Sequence, residues 1–282
     1  MKLVRFGAPE EEKPGLVDGD GNIRDLSGEV SDIDGAALAP ASLKRLSRID
    51  PAGLPLVSGK TRLGPCVGKI SKMPAIGLNY ADHAKEAGLP LPKEPVLFMK
   101  AVSAICGPND DTIRPKDSTK LDHEVELGIV IGTRASYVSK DKALDHVAGY
   151  CIVNDVSERA FQIERNGGQW DKGKGCDTFA PTGPWMVTSD EIPDPQALDM
   201  FLEVNGERRQ TGNTRTMIFG VADIVSDLSN FLTLMPGDVI ITGTPPGVGL
   251  GSGKFLKVGD TVHLGIAGLG EQRQKIVAWP GK

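Results

Sequence analysis

No apolar stretch in this sequence approaches the roughly 18 residues of a membrane span, so no helix crossing a bilayer is expected. Nor is there a basic tract: Lys and Arg number 32 against 37 Asp and Glu, for a net charge of −5. That argues against a nucleic-acid surface, which needs clustered positive charge. The four cysteines, Cys66, Cys106, Cys151 and Cys176, lie far apart without a CxxC and read as reduced thiols, not a disulfide frame. The four histidines, His83, His123, His146 and His263, form no HxxxH and pair with no cysteine at ligand spacing, so zinc is not expected. Internal repeats and low-complexity segments are missing too. The start, "MKLVRFGAPEEEKPG", has no long apolar core and turns acidic at once, so no signal peptide is expected and the cytoplasm is the expected compartment. "GVGLGSGKF" is a phosphate-loop look-alike only. Val248 stands where the first P-loop glycine belongs, Phe255 takes the Ser/Thr position, and GxGxxG is not met.

What is present is a soluble globular composition, 39% hydrophobic and 24% charged, in 282 residues. The 35 Gly and 20 Pro are scattered between apolar runs, a pattern of many turns and short strands. "KLVRF" and "GLVDGDGNIRDLS" read as strands around a Gly/Asp turn, "DIDGAALAPASLKRLSRID" has helical spacing, and "PAGLPLVSGKTRLGP" shows no period. Residues 1–70 therefore read as a small N-terminal α+β domain and 71–282 as the main domain. In the second part strand signals dominate: "EVELGIVIG", "VAGYCIVNDV", "GPWMVT", "DMFLEVNGE", "DVIITGTP" and "DTVHLGIAGLG". Only "ERAFQIERNG" and "VADIVSDLSNFL" look helical. So few strand-helix-strand units point to a mainly β, barrel-like or multi-sheet α+β fold.

Within "LDHEVELGIVIG", Glu124 and Glu126 are two apart, hence on one strand face and roughly 6 to 7 Å apart. Asp155 follows another apolar strand, "YCIV". Three carboxylates from neighbouring strand ends suit a hard divalent cation, Mg²⁺ or Mn²⁺. They equally suit two solvated acids and a helix-capping Asp, and spacing alone leaves both readings open. His123 points the other way in a regular strand.

"NYADHAKEAG" reads as a short helix capped by Asn79 and ended by Gly88, on which His83 and Glu86 share a face. A carboxylate beside an imidazole fixes its tautomer and raises its basicity, as a general base requires; a surface His with a helix-pairing Glu is the plainer reading. The flanking "GLNY" and "GLPLPKEP" suggest a loop able to close over a site. Arg159 and Gln162 are i, i+3 after Asp155, and Lys174 sits in a Gly-flanked loop. Together they can form a pocket for a developing oxyanion, or simply an ordinary charged surface. Thr244, in "MPGDVIITGTPPGVG", offers a hydroxyl and backbone N–H groups to a carboxylate, or marks a turn.

Taken together and in this order, "GLNYADHAKE", "FMK", "EVELGIVIG", "GYCIVNDVSER", "GKGCDTFAPTGPW", "VNGE", "MPGDVIITGTPPGVG" and "GIAGLG" resemble the fumarylacetoacetate hydrolase family over about residues 73–282. "SERAFQIERNGGQW" and "TPPGVGLG" resemble its bacterial sugar-acid branch, whose members are similar to 2,4-diketo-3-deoxy-L-rhamnonate or L-fuconate hydrolases. The resemblance implies a mixed β-roll, a Mg²⁺ or Mn²⁺ ion and a homodimer. Carried over by motif, the metal ligands are Glu124, Glu126 and Asp155; the base is His83 oriented by Glu86; the oxyanion donors are Arg159, Gln162 and Lys174; and Tyr80, Lys100 and Thr244 bind substrate. Two positions depart from the pattern: Gly175 stands where many relatives have Ser, and His123 where an aromatic is frequent.

The reaction so implied is hydrolysis of the C3–C4 bond of a 2,4-diketo sugar acid to pyruvate and lactate, with no nucleic acid or membrane as partner. Acylpyruvate hydrolysis and oxaloacetate decarboxylation start from the same chelate. A non-catalytic protein stapled by its ion is the rival of a different class.

Overall fold

The two longest buried runs lie side by side. Val125–Ile131 and Val147–Asn154 pair antiparallel, and every residue of both is buried, as expected of strands covered on both faces. The computed structural model of the chain describes every residue except Ala87, Leu89, Asn166 and Lys282. Three of these fall within stretches read above, Ala87 and Leu89 beside His83 and Asn166 in the donor segment, and so lie outside the described residues.

Around the two central strands a ten-stranded mixed sheet runs in the order Ile23–Asp25, Lys13–Val17, Lys2–Phe6, Ala180–Thr188, Val147–Asn154, Val125–Ile131, Val239–Ile241, Met73–Gly77, Val96–Lys100, with Ile105–Cys106 joined parallel to Ala180–Thr188. The first 70 residues enter this same sheet through Lys2↔Val187 and Leu3↔Met186. Leu3, Leu26, Ile33 and Leu46 belong to one core with Ile129 and Ile152. The helix of this region spans only Pro40–Leu46, opened by Pro40, whose missing N–H costs nothing at a first turn.

A second sheet of five strands orders Glu207–Asn213, Asp199–Val204, Thr261–Ile266, Gly270–Ala278 and Thr112–Arg114. Its first hairpin turns at Asn205 and Gly206, both at positive φ, the backbone that an Asn-Gly pair adopts most readily. Buried amides tie this sheet to the first. Gln272 Nε2 donates to the carbonyls of Ile152, Pro181 and Gly183. Gln274 Oε1 accepts from Asn154, whose own Oδ1 accepts the Glu124 N–H, and Gln210 Oε1 accepts the Val125 N–H. The polar residues behind the central strand ends are therefore satisfied in pairs, as burial demands.

Helices are few. Val221–Leu228 buries Val221, Ile224, Val225 and Leu228, a regular apolar stripe. "ERAFQIERNG" folds only as a π-helical turn over Ala160–Glu164. The fold is mixed α+β and strand-dominated, as the sequence pattern implied. No described helix is long and apolar enough to cross a membrane.

Candidate active site

Strand register explains how the three acids meet. Glu126 pairs with Val153 and Val125 with Asn154, and the Asp155 N–H donates to the Glu124 carbonyl at 2.9 Å. Directly opposed residues share a face, and so do residues two apart. Glu124, Glu126 and Asp155 therefore project to one side, where ligand oxygens from all three lie within 4.8 Å of one another. Asp155 caps no helix, because the chain continues as a short strand, Ser157–Glu158. The alternative of solvated acids does not hold either, since all three are buried.

Around these acids the charges do not balance. Asp122, Glu124, Glu126 and Asp155 face Lys100, Arg159 and Lys174, so one carboxylate is left over. Lys174 Nζ bridges Glu124 Oε2 and Asp155 Oδ2, at 2.6 Å each. Arg159 Nη2 donates to Glu124 Oε1. Burial pushes the Glu124 carboxyl up, but the charges and hydrogen bonds of Arg159 and Lys174 outweigh it and hold the group below the usual carboxylate range. Glu126 is the excess acid. Its protein hydrogen bond comes from the Gly243 N–H at 2.7 Å. Burial, with the charges of Asp155 and Glu124, drives its carboxyl well above the ordinary value. A buried carboxylate set one positive charge short, offering oxygen ligands within reach of one point, fits a hard divalent cation.

Glu124 and Glu126 line the floor of a cavity of about 350 Å³, with Asp155 wholly buried beside them. His83 and Glu86 reach it from Ala81–Glu86, with His83 Nδ1 3.1 Å from Glu86 Oε2. Glu86 also accepts the Gly247 N–H, tying this helix to the loop after Val239–Ile241. Gln162, Lys174 and Thr244 line the same cavity. Gln162 Oε1 accepts from Arg159 Nη1 at 2.9 Å, which leaves its amide nitrogen to serve a ligand. The Thr244 hydroxyl donates to the Val125 carbonyl and accepts from Gln210.

Some expectations need correcting. Tyr80 does not line the cavity: it is wholly buried, and its hydroxyl faces the sulfur of Met200. Lys100 is likewise hidden behind the floor, donating to Asp155 Oδ1 at 2.6 Å and to the Val156 carbonyl. It holds an acid in place and does not touch the cavity. Arg159 does line it, with three of its five N–H groups donating to Asp122, Gln162 and Glu124. Asn79 caps no helix. Its amide bridges the Phe219 and Thr242 carbonyls and accepts the Phe219 N–H.

Other residues were not anticipated. Asp122 accepts the N–H groups of Gly249 and Leu250 as well as Arg159 Nε, fixing a cavity wall to the floor. Phe98 and Trp170 meet at 5.4 Å between ring centroids. A Cβ at Gly77 would come within 2.4 Å of the Trp170 indole. The signal for Asp122 was its place just before His-Glu; nothing local marks the aromatic pair. His123, buried with neither ring nitrogen hydrogen bonded, is held below the usual imidazole range by its burial.

A family model described as the fumarylacetoacetate (FAA) hydrolase C-terminal region matches residues 72–277. A protein of Burkholderia ambifaria that carries only the general name of hydrolase is 64% identical over 277 residues, covering 97% of this chain and 98% of its own. The solved structure of maleylpyruvate hydrolase from Sphingobium sp. SYK-6, in complex with manganese(II) and pyruvate, is 29% identical, with a TM-score of 0.83 over 99% of each chain. That of 5-carboxymethyl-2-hydroxymuconate delta-isomerase from Mycobacterium smegmatis is 34% identical, with a TM-score of 0.77 over 100% of each.

Proposed function

The chain belongs to the fumarylacetoacetate hydrolase family, whose members are hydrolases and isomerases, and from that membership we propose that it hydrolyses the C3–C4 bond of a 2,4-diketo acid, releasing pyruvate. One observation carries the reading: a His-Glu pair and an amide donor share a single cavity with Glu124 and Glu126, whose ligand oxygens converge with that of buried Asp155.

Glu124, Glu126 and Asp155 would hold Mg²⁺ or Mn²⁺, which supplies Lewis acidity toward an α-keto acid. Manganese and pyruvate in the related maleylpyruvate hydrolase support that assignment. Glu86 faces His83 Nδ1 and so presents Nε2 to the cavity as the basic nitrogen. His83 takes a proton from water, whose oxygen bonds to C4. The Gln162 amide and the Lys174 ammonium stabilise the charge on the C4 oxygen, each worth roughly 2 to 4 kcal/mol by analogy with oxyanion-hole donors. As the C3–C4 bond breaks, its electron pair passes to the pyruvate enolate, and the proton on His83 returns to C3. Water is consumed, and C4 leaves as a carboxylic acid.

The sugar-acid resemblance would make that acid lactate. The test is pyruvate release from 2,4-diketo acids by metal-loaded protein, abolished by chelation and restored by Mg²⁺ or Mn²⁺. Isomerisation of an unsaturated keto acid without pyruvate would instead assign the chain to the chemistry of its isomerase relative.

A further inference from the structure

Resting on the diketo-acid hydrolase reading, and against the lactate that the sugar-acid resemblance implies, we infer that the group beyond C4 of the substrate is an uncharged hydrocarbon, alkyl or aryl, and neither hydroxylated nor carboxylated. The two ends of the cavity differ in chemistry. Beyond the acids, its walls are Leu78, Phe98, Ile163, Trp170, Val248 and Leu250. Two of these are large apolar side chains left open to water: Ile163 is 52% exposed and Leu250 44%. They come from separate segments, the π-helical turn and the helix Gly249–Ser252, yet face the same space. Apolar surface converging on a cavity mouth is the signature of a subsite for an apolar group.

A second carboxylate on the substrate would find no partner there. Among the described lining residues the cations are Arg159 and Lys174. Arg159 is held by Asp122, Gln162 and Glu124, and Lys174 by Glu124 and Asp155. Both sit at the acid end, and the carboxylate of Glu86 lines the cavity as well. A distal carboxylate would lose part of its hydration against these hydrocarbon walls and find no cation among them, which costs binding. A hydroxylated arm fares little better, because these six side chains carry no hydrogen-bonding group apart from the Trp170 indole N–H.

The test uses four 2,4-diketo acids that bear a butyl, phenyl, 1-hydroxyethyl or carboxypropyl group beyond C4. Each is assayed for pyruvate release, and separately for binding to the Mg²⁺-loaded protein by calorimetry. The butyl and phenyl acids are expected to exceed the carboxypropyl acid by about 100-fold in kcat/KM and in affinity. The hydroxyethyl acid should fall between them. Ile163→Arg, at an exposed position, should narrow the gap by offering the carboxypropyl acid a charge partner. Equal or better binding of the carboxypropyl or hydroxyethyl acid by the unsubstituted protein would overturn the inference. If binding ranks as expected but no acid yields pyruvate, the subsite stands and the hydrolase reading falls.

Discussion

The floor of the cavity and its mouth are built by different rules. On the floor every charged side chain but Glu126 is ion-paired across segments: Glu124 with Arg159 and Lys174, Asp155 with Lys100 and Lys174, Arg159 with Asp122. The mouth is made of apolar side chains, with Ile163 and Leu250 carried on short turns. Removing one member of these floor pairs leaves a buried partner unpaired, whereas changing a mouth residue alters only shape and wetted area.

Three changes probe that contrast. His83→Ala should have the largest effect, lowering kcat by roughly 10³-fold, within the usual range for losing a general base. Cation affinity, read by calorimetry, should stay close to that of the unsubstituted protein; a near-normal kcat would remove His83 from the chemistry.

Glu126→Gln should act on the floor in two opposite directions. Divalent-cation affinity should fall by about 100-fold, since an anionic ligand becomes a neutral amide. Without cation, the same variant should melt at a higher temperature than the parent at neutral pH, because it no longer buries the excess charge. The sign follows from linkage. The Glu126 pKa is raised in the fold, so its contribution to stability is intact below the ordinary carboxylate value of 4.5 and is lost as pH climbs through the raised folded value. The cation-free parent should therefore lose melting temperature relative to Glu126→Gln as pH rises. Parallel melting profiles for the two proteins would contradict the assignment of Glu126 as the uncompensated acid.

At the mouth, Trp170→Ala should have the smallest effect. KM for a diketo acid with a hydrocarbon arm should rise about tenfold, as expected for lost apolar contact, with kcat changed little. A collapse of kcat instead would mean that the indole orders the floor as well.

Much of the floor was legible because it is local. The i, i+2 spacing of Glu124 and Glu126 and the i, i+3 spacing of Arg159 and Gln162 hold in the fold. Asp155 was marked by its place after an apolar strand. The register that brings it beside Glu124 was not, since pairing between strands some thirty residues apart leaves no local trace. Tyr80 and Lys100 show the limit of transfer by motif: each lies next to the site in sequence but turns its side chain into the packed layer behind it. The N-terminal strands were read as strands, yet nothing in "KLVRF" reveals that its neighbour is Ala180–Thr188. The mouth was the least legible part. Its aromatic pair joins Phe98, on one strand, to Trp170, in a distant loop.

Gly77 gives the entrance a dimension fixed by the main chain. Because the indole of Trp170 rests where a methyl group would stand, even alanine at this position must swing the ring aside. One missing carbon thus sets the width of the doorway, and substitution here should retune which molecules enter while leaving the acids at the far end undisturbed.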